Sequence, residues 1–279
     1  MQNAGIAALG LNWRYLAFDV HPDSLRQAIA GAAAMKFIGL NLTVPHKILA
    51  MDIVDALDQS ATTWGAVNTI RFETKVNGHW LPLSQVAPAE TGEIRTLGFN
   101  TDADAITRSL REDLGLEPCG AKVLLLGAGG AGRTAALKLA AEGVAELHLI
   151  NRTASKAQEV AEEIKRRFPT VKVSVGYPAQ TGMDLVLNAT SLGLKAGDPL
   201  PVDLSLFSLK QARYAYDMIY RPAETPFLQA AKTAGCGTAN GVGMLLYQGA
   251  KALEIWTGRT APVESMRTAL LSHVYGQAH

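Results

Sequence analysis

Apolar, β-branched runs alternating with stretches of helical period predict an α/β chain, and a change of character near the middle predicts two domains. Two observations carry that prediction. Short strand-like runs recur along the whole chain, and one of them, "KVLLLG" at 122–127, leads straight into further glycines and an alanine-rich helical pattern. The 279 residues, 48% hydrophobic and with 26 glycines, suffice for two cored domains and argue against disorder.

The opening "MQNAGIAALGLNW" reads as an amphipathic helix already under way, with Ile6, Leu9 and Leu11 among alanines and Asn3 as a weak N-cap. A strand at 13–20 ("WRYLAFDV"), a helix from Ser24 to Ala34, a strand at 37–43 ("FIGLNLT"), a helix from Pro45 and a strand at 66–72 ("AVNTIRF") follow, read as parallel βαβ units. Between Phe72 and Gly98, Asn77-Gly78 sits between extended runs and predicts a β-hairpin with a polar loop after it, a surface elaboration with no assigned role.

The second half opens on "KVLLLGAGGAGRTAALKLAAEG" at 122–143. Here Gly127 permits the tight turn, Gly129 lets backbone approach a pyrophosphate, and Gly132 lets helix and strand pack closely. The helix N-terminus adds unpaired N–H groups and a positive dipole end. In this strand-to-helix setting, the run Gly127, Ala128, Gly129, Gly130, Ala131, Gly132 predicts a dinucleotide site in a Rossmann-like, doubly wound sheet. The next strand, 146–150, ends at Asn151-Arg152-Thr153, about twenty residues on, where a fold selective for NAD usually carries a carboxylate. Arg152 stands there instead. Its guanidinium suits a 2′-phosphate, with Asn151, Thr153, Ser155 and Lys156 beside it, so NADP is the favoured cofactor. Further strands are read at 171–175, 184–190 and 214–220, which puts Asn188, Thr190 and Ser191 at the carboxyl ends that line a ligand crevice.

Lys and Arg number 26 against 25 Asp and Glu, a balance that gives no general attraction to nucleic acid or to an anionic membrane and favours a small-molecule site. Cys119 and Cys236 stand far apart, without redox or metal spacing, which suggests a reduced, cytoplasmic protein. No run of eighteen apolar residues and no leader pattern is present, and no His, Cys and carboxylate cluster suggests a metal.

In the first half, "NLTVPHK" places Asn41 and Thr43 on one side of a strand end, where both could offer hydrogen bonds to a bound small molecule. Pro45 suits the first helical position. His46 and Lys47 then stand at the positive end of a helix dipole, a locally unfavourable choice that hints at function and favours the neutral amine of Lys47. His46 is read as structural or solvated.

The blocks "NLTVPHK", "GAVNT", "GFNTD", "GAGGAGR", "NRT", "NATSLG", "YDMIYRP" and "GVGMLLYQGA" occur in the order and approximate spacing of the shikimate dehydrogenase family, which the chain resembles over nearly its whole length. The resemblance implies a substrate domain at 1–103, completed by C-terminal helices at 240–279, and an NADP-binding domain at 104–239, with the active site in the cleft between them. It implies Lys47 as the catalytic residue, paired with Asp102. It implies Asn68, Tyr220 and Gln248 as further substrate contacts, with Met218, Gly241 and Met244 on the cofactor side. The implied reaction is the reversible reduction of 3-dehydroshikimate to shikimate by NADPH, a step of aromatic amino acid (chorismate) biosynthesis. Members of the family carry a first strand and a Ser-x-Ser loop ahead of the helix that opens this sequence. Neither stands ahead of it here, so weakened activity, a raised substrate KM, or a partner chain completing the sheet, as in a homodimer, is expected. Two readings stay beside this one: a relative acting on quinate or an amino-substituted ring, and a non-catalytic ligand-binding homologue. Glutamyl-tRNA reductase shares the glycine turn and "NRT" but needs a nucleophilic cysteine, and neither Cys119 nor Cys236 lies in a suitable setting.

Overall fold

The structure, a computed structural model, describes residues 1–179 and 182–276. Its chain separates into two units, Met1–Asp102 with Gln248–Leu270, and Ala103–Tyr247 with Leu271–His279.

In the first unit, α1 (Gln2–Ala8) is capped at Met1 rather than Asn3. The Asn3 side chain instead accepts from the Tyr15 N–H at 2.7 Å and donates to the Tyr15 carbonyl at 2.9 Å. The strand expected at 13–20 does not form. Trp13 and Tyr15 are half-buried, but Leu16 to Asp19 are all exposed, so the segment has no continuous buried face, and a strand also needs a neighbour's backbone. Side-chain tethers hold the segment: besides Asn3, the His46 Nε2–H donates to the Val20 carbonyl at 2.8 Å. The structural reading of His46 fits this contact.

Next, α2 (Leu25–Ala34) buries Leu25, Ile29 and Ala32, spaced by four and three as one helical face requires. The following strand, β1 (Gly39–Asn41), is shorter than the expected 37–43, and α3 (His46–Leu49) is a single turn. Two short elements were not anticipated: β2 (Ala56–Leu57) and α4 (Gln59–Trp64), the latter capped by the Asp58 carboxylate on Ser60 N and ended by Gly65 at φ 68°. The hairpin forms as expected. β3 (Thr69–Val76) turns into β4 (His79–Pro82) through Asn77 and Gly78 at φ 50° and 83°, the two left-handed residues that a tight hairpin of this type needs. β5 (Ile94–Phe99) completes a sheet ordered β1-β3-β5-β2, with β4 on the free stretch of β3. The expectation of parallel βαβ units fails in this half. β1, β4 and β5 all run antiparallel to β3, the tight hairpin fixing this for β4, and only the β2–β5 pair is parallel. Leu25, Ile29, Val67, Ile70 and Phe72 form the core beneath, each worth about 1.5–3 kcal/mol on burial.

The hairpin also carries a clamp. Glu73, only 2% exposed, takes Arg95 Nε on Oε2 at 2.8 Å and Arg71 on Oε1, and the Arg95 guanidinium lies 4.4 Å from the centroid of the Trp80 ring. The carboxylate thus ties β3 to β5 and, through Trp80, to β4.

In the second unit, α5 (Asp102–Leu114) leads into β6 (Lys122–Leu126), α6 (Gly130–Ala141), β7 (Glu146–Ile150), α7 (Ala154–Arg167) and β8 (Lys172–Val175). Then come β9 (Met183–Asn188), β10 (Ala212–Asp217), α8 (Pro226–Thr233), β11 (Gly237–Asn240) and the first residues of α9 (Val242–Thr257); α9 from Gln248 on and α10 (Val263–Tyr275) as far as Leu270 belong to the first unit. Six parallel strands lie in the order β11-β10-β9-β6-β7-β8, the doubly wound arrangement of dinucleotide-binding folds. The order reverses between β6 and β9, so the loops at the carboxyl ends of those two strands border the crevice where such sheets take ligands. β6 and β9 are buried almost throughout, as strands covered on both faces must be.

Replacing Glu73 with Ala leaves two guanidinium groups without their carboxylate and is expected to cost about 3–5 kcal/mol, a marked fall in denaturation midpoint that urea titration followed by circular dichroism reads.

Candidate active site

The polar groups of the first unit gather around Val67 and Asn68. Val67 N donates to the Lys47 carbonyl at 2.9 Å, Leu42 N to the Asn68 carbonyl at 2.8 Å, and Asn68 N to the Phe99 carbonyl at 3.0 Å. The backbone groups of two adjacent residues therefore fasten the ends of β1, α3 and β5 to one another. The Asn68 side chain, 1% exposed, accepts from Thr101 N at 2.8 Å and donates to the Thr101 hydroxyl at 3.0 Å. That holds Thr101 just ahead of Asp102, the first residue of α5.

Against this frame Lys47 Nζ and Asp102 Oδ2 meet at 2.8 Å, with side chains 26% and 14% exposed. Asn100 Oδ1 accepts from Asp102 N at 3.1 Å and steadies the backbone from which that carboxylate projects. The dipole argument for Lys47 does not hold. α3 has four residues, with Pro45 in the cap position, so Lys47 is as near the helix's last carbonyls as its first N–H groups. Asp102 is the charge that matters there.

Asn41 and Thr43 do not project side by side, because β1 ends at Asn41 and Thr43 lies in the loop beyond it. The Asn41 amide donates to Thr69 Oγ1 at 3.0 Å and to the Asn68 carbonyl at 3.3 Å, while its oxygen accepts from the Tyr15 hydroxyl at 3.1 Å. Thr43 is exposed, and among the described residues its hydroxyl has no partner. Tyr15 and Thr101 were missed from sequence. A tyrosine in a segment read as an ordinary strand gave no signal, whereas "FNTD" did place Thr101 beside a predicted catalytic residue.

In the second unit, Gly127 follows β6 at φ 105°, and Gly132 sits where a Cβ would come within 2.0 Å of the Gly127 carbonyl oxygen. A Cβ on Gly129 or Gly130 would meet nothing within 4 Å, so the backbone at the start of the 12-residue α6 is open to a ligand. A cavity of about 320 Å³ lies there, lined by Ala128, Gly129, Gly130, Arg133, Lys156 and Glu163 among others. Asn151 Oδ1 accepts from Ala128 N at 2.9 Å and its amide donates to the Thr153 carbonyl at 2.8 Å, so Asn151 joins the glycine turn to the end of β7. Arg152 and Lys156 are exposed and form no ion pair among the described residues; Ala131 and Thr153 are exposed beside them. This donor set fits a phosphorylated dinucleotide: open N–H groups for a pyrophosphate and two free cations for an additional phosphate. Arg133 and Glu163 are further lining residues that sequence reasoning did not single out. Their bidentate pair, 3.0 and 2.8 Å, offsets a carboxylate that would repel an anion.

Thr190 and Ser191 follow β9, Met218 and Tyr220 lie beyond the end of β10 rather than in it, and Gly241 precedes α9. Met244 and Gln248 stand one turn apart on α9, the first in the second unit and the second in the first. Among the described residues no group of three or more His, Cys, Asp or Glu could hold a metal ion, and no helix is long and apolar enough to cross a membrane.

The same architecture occurs among known proteins. Residues 1–70 match the shikimate dehydrogenase substrate binding domain, residues 112–193 match shikimate / quinate 5-dehydrogenase, and residues 241–271 match the shikimate 5'-dehydrogenase C-terminal domain. A shikimate dehydrogenase (NADP(+)) of Methanopyrus kandleri is 40% identical over 98% of this chain and 90% of its own length. Among solved structures, a shikimate dehydrogenase in complex with NADP+ superposes with a TM-score of 0.81 at 34% identity, covering 98% of this chain and 89% of the other. A ligand-free 5-ketofructose reductase of Gluconobacter sp. strain CHM43 gives 0.80 at 33% identity, covering 98% and 92%.

The two kinds of glycine make a direct contrast. Gly132→Ala forces the turn apart and is expected to cost about 1–3 kcal/mol, whereas Gly129→Ala leaves stability within about 0.5 kcal/mol; thermal unfolding of the two variants side by side checks both.

Proposed function

Because this chain belongs to the shikimate dehydrogenase family, we propose that it catalyses the reversible, NADP-dependent interconversion of 3-dehydroshikimate and shikimate. The observation that carries the reading is the 2.8 Å pair between Lys47 and Asp102, set in the unit whose first 70 residues match a substrate-binding domain.

NADPH bound at the glycine turn supplies a hydride to the ketone carbon. The residues of the chain do the rest. Reduction builds negative charge on the carbonyl oxygen, and the Lys47 ammonium, held by Asp102, donates the proton that quenches it. In the oxidative direction the Lys47 amine takes the hydroxyl proton as hydride leaves, and Asp102 stabilises the ammonium that results. Thr43, with a free hydroxyl, and the second amide hydrogen of Asn68 are proposed to take ring hydroxyls, with Gln248 and Tyr220 as further ring contacts. Asn41 has both amide hydrogens committed, so its proposed part is to keep Thr69, Asn68 and the Tyr15 phenol in register. On the cofactor side, α6 and the run Gly127 to Gly132 cradle the pyrophosphate, Arg152 and Lys156 hold the 2′-phosphate, and Thr190, Ser191, Met218, Gly241 and Met244 border the nicotinamide. Cys119 and Cys236 are both free thiols, in keeping with a reducing cytoplasm.

The fold alone does not choose the substrate, since the 5-ketofructose reductase superposes almost as well as the shikimate dehydrogenase. The closer sequence likeness, 40% over nearly the full length, favours the shikimate reading.

Reduction of NADP⁺ followed at 340 nm with shikimate, quinate and a fructose-type polyol tests it. A rate with shikimate well above the other two is expected, and a preference for either alternative would reassign the substrate. Lys47→Ala should lower kcat by about 10²–10⁴-fold while the Kd for NADPH, read by fluorescence titration, stays within twofold. Arg152→Ala should raise the KM for NADP⁺ by roughly 10–100-fold and leave the KM for NAD⁺ nearly unchanged, which steady-state kinetics with both cofactors checks.

A further inference from the structure

We propose that Asp217, which lies outside the reacting groups, is the positioning residue that locks the two loops bordering the cofactor, residues 188–193 and 217–225, into one arrangement. The inference deepens the functional reading above and rests on it for the identity of the cofactor.

Asp217 is fully buried at the end of β10, in register with Asn188 at the end of β9 and Asn240 at the end of β11. Its carboxylate has no cationic partner among the described residues. Three neutral donors satisfy it instead: Asn188 Nδ2 at 3.0 Å and Ile219 N at 3.0 Å on Oδ1, and the Thr225 hydroxyl at 2.6 Å on Oδ2. Burial pushes its carboxyl above the ordinary range, and these three hydrogen bonds oppose the push. A buried carboxylate without a counter-charge is costly, so its place here calls for a role.

The role emerges from the element to which each donor belongs. A carboxylate only accepts, so it fixes which way the Asn188 amide faces: nitrogen toward Asp217, oxygen toward Thr190. Asn188 Oδ1 then accepts from both Thr190 N at 3.0 Å and the Thr190 hydroxyl at 2.7 Å, and Thr190 Oγ1 accepts from Leu192 N at 3.1 Å. The loop so shaped lies against the glycine turn, where a Cβ on Gly127 would stand 3.0 Å from the Ala189 backbone and from Thr190 Cγ2. On the other side, Ile219 and Thr225 bracket the second loop. Its Met218 carbonyl oxygen would meet a Cβ on Gly241 at 2.1 Å, and Gly241 N donates to the Ile219 carbonyl at 3.2 Å just ahead of the helix that carries Met244. One carboxylate thereby sets the glycine turn, the Thr190 loop, the Met218 loop and the start of α9 against one another. Asparagine in its place has a single acceptor oxygen for three donors.

The test uses the full chain with three variants: Asp217→Asn, which leaves Thr225 in place as the cap of α8; Thr225→Val, which removes the donor to Asp217 together with the hydroxyl that caps α8 at Leu228 N; and Thr225→Ser, which restores both. Asp217→Asn and Thr225→Val are each expected to raise the Kd for NADP⁺ about tenfold or more and to lower kcat, with the KM for shikimate within twofold and Thr225→Ser close to wild type. Wild-type Kd and kcat in folded Thr225→Val would overturn the proposal, as would a parallel rise in shikimate KM, which signals general loosening. Amide hydrogen exchange without any ligand separates this proposal from the functional reading. Faster exchange confined to 188–193 and 218–225 in the variants supports the role of Asp217 whatever the substrate proves to be, and unchanged exchange overturns it. Failure of the wild type to bind NADP⁺ would instead strike the cofactor reading. Should Asp217→Asn not fold, the Thr225 pair decides alone.

Discussion

The ion pair between Lys47 and Asp102 depends on a dipeptide that contains neither residue. Lys47 and Asp102 are 55 positions apart, in a short turn of helix and at the start of a long one. Val67 and Asn68 bring them together, holding the backbone of residue 47 with one peptide and residues 99 to 101 with the next. The geometry is over-determined. Each bond is an ordinary hydrogen bond worth about 1 kcal/mol net, but all are buried, and a buried group that loses its partner loses its desolvation energy as well. A site built from loop ends can be rigid when its backbone groups are fastened to one buried amide.

The same logic explains how much was legible in the sequence. The second unit announced itself because its constraints are local: a strand, three glycines at fixed offsets and a helix are contiguous, and two of the glycines, Gly127 and Gly132, are required by backbone close at hand. Arg152 was legible for the same reason, since the strand end and the residue after it are adjacent. The first unit was harder. The expectation for 13–20 rested on an apolar, strand-like run, which does not show whether a neighbouring backbone exists to pair with it, and the pairing of Asn41 with Thr43 assumed a strand whose ladder in fact stops at Asn41. The dipole at Lys47 presumed a helix several turns long, and "PHKIL" does not show that the helix ends within one turn. The hairpin, by contrast, was written in Asn77-Gly78, because two consecutive left-handed residues are a local demand.

Recognition of the family carried residues that spacing alone would have left bland. Asp102 after "NT" is ordinarily a helix cap, and Asn68 ordinarily a turn residue. The structure then refines those assignments in a way no motif could. Asn41 and Asn68 have most of their hydrogen-bonding capacity committed within the protein, whereas Thr43, Arg152 and Lys156 keep theirs open. A motif marks that a residue type is needed at a position; which of its donors remain for a ligand depends on neighbours distant in sequence, such as Tyr15 and Thr101.

Three carboxylates in this chain illustrate how environment divides labour among identical chemical groups. Glu73 is nearly inaccessible and flanked by two guanidinium groups, and Asp217 is fully buried among neutral donors. Both accept hydrogen bonds from neighbouring elements and so join strands or loops. Asp102 keeps 14% of its side chain exposed and faces an ammonium that is 26% exposed. That difference is what chemistry requires, because a group that takes part in proton transfer must be regenerated from solvent in each turnover, while a group that only holds geometry is better the less water reaches it. Partial exposure also lessens the desolvation cost that a deeply buried ion pair would carry. The Lys47–Asp102 pair is held at 2.8 Å yet stays within reach of water, the depth that the proposed proton transfer calls for, and the two buried carboxylates lie where the surrounding strands and loops need anchors.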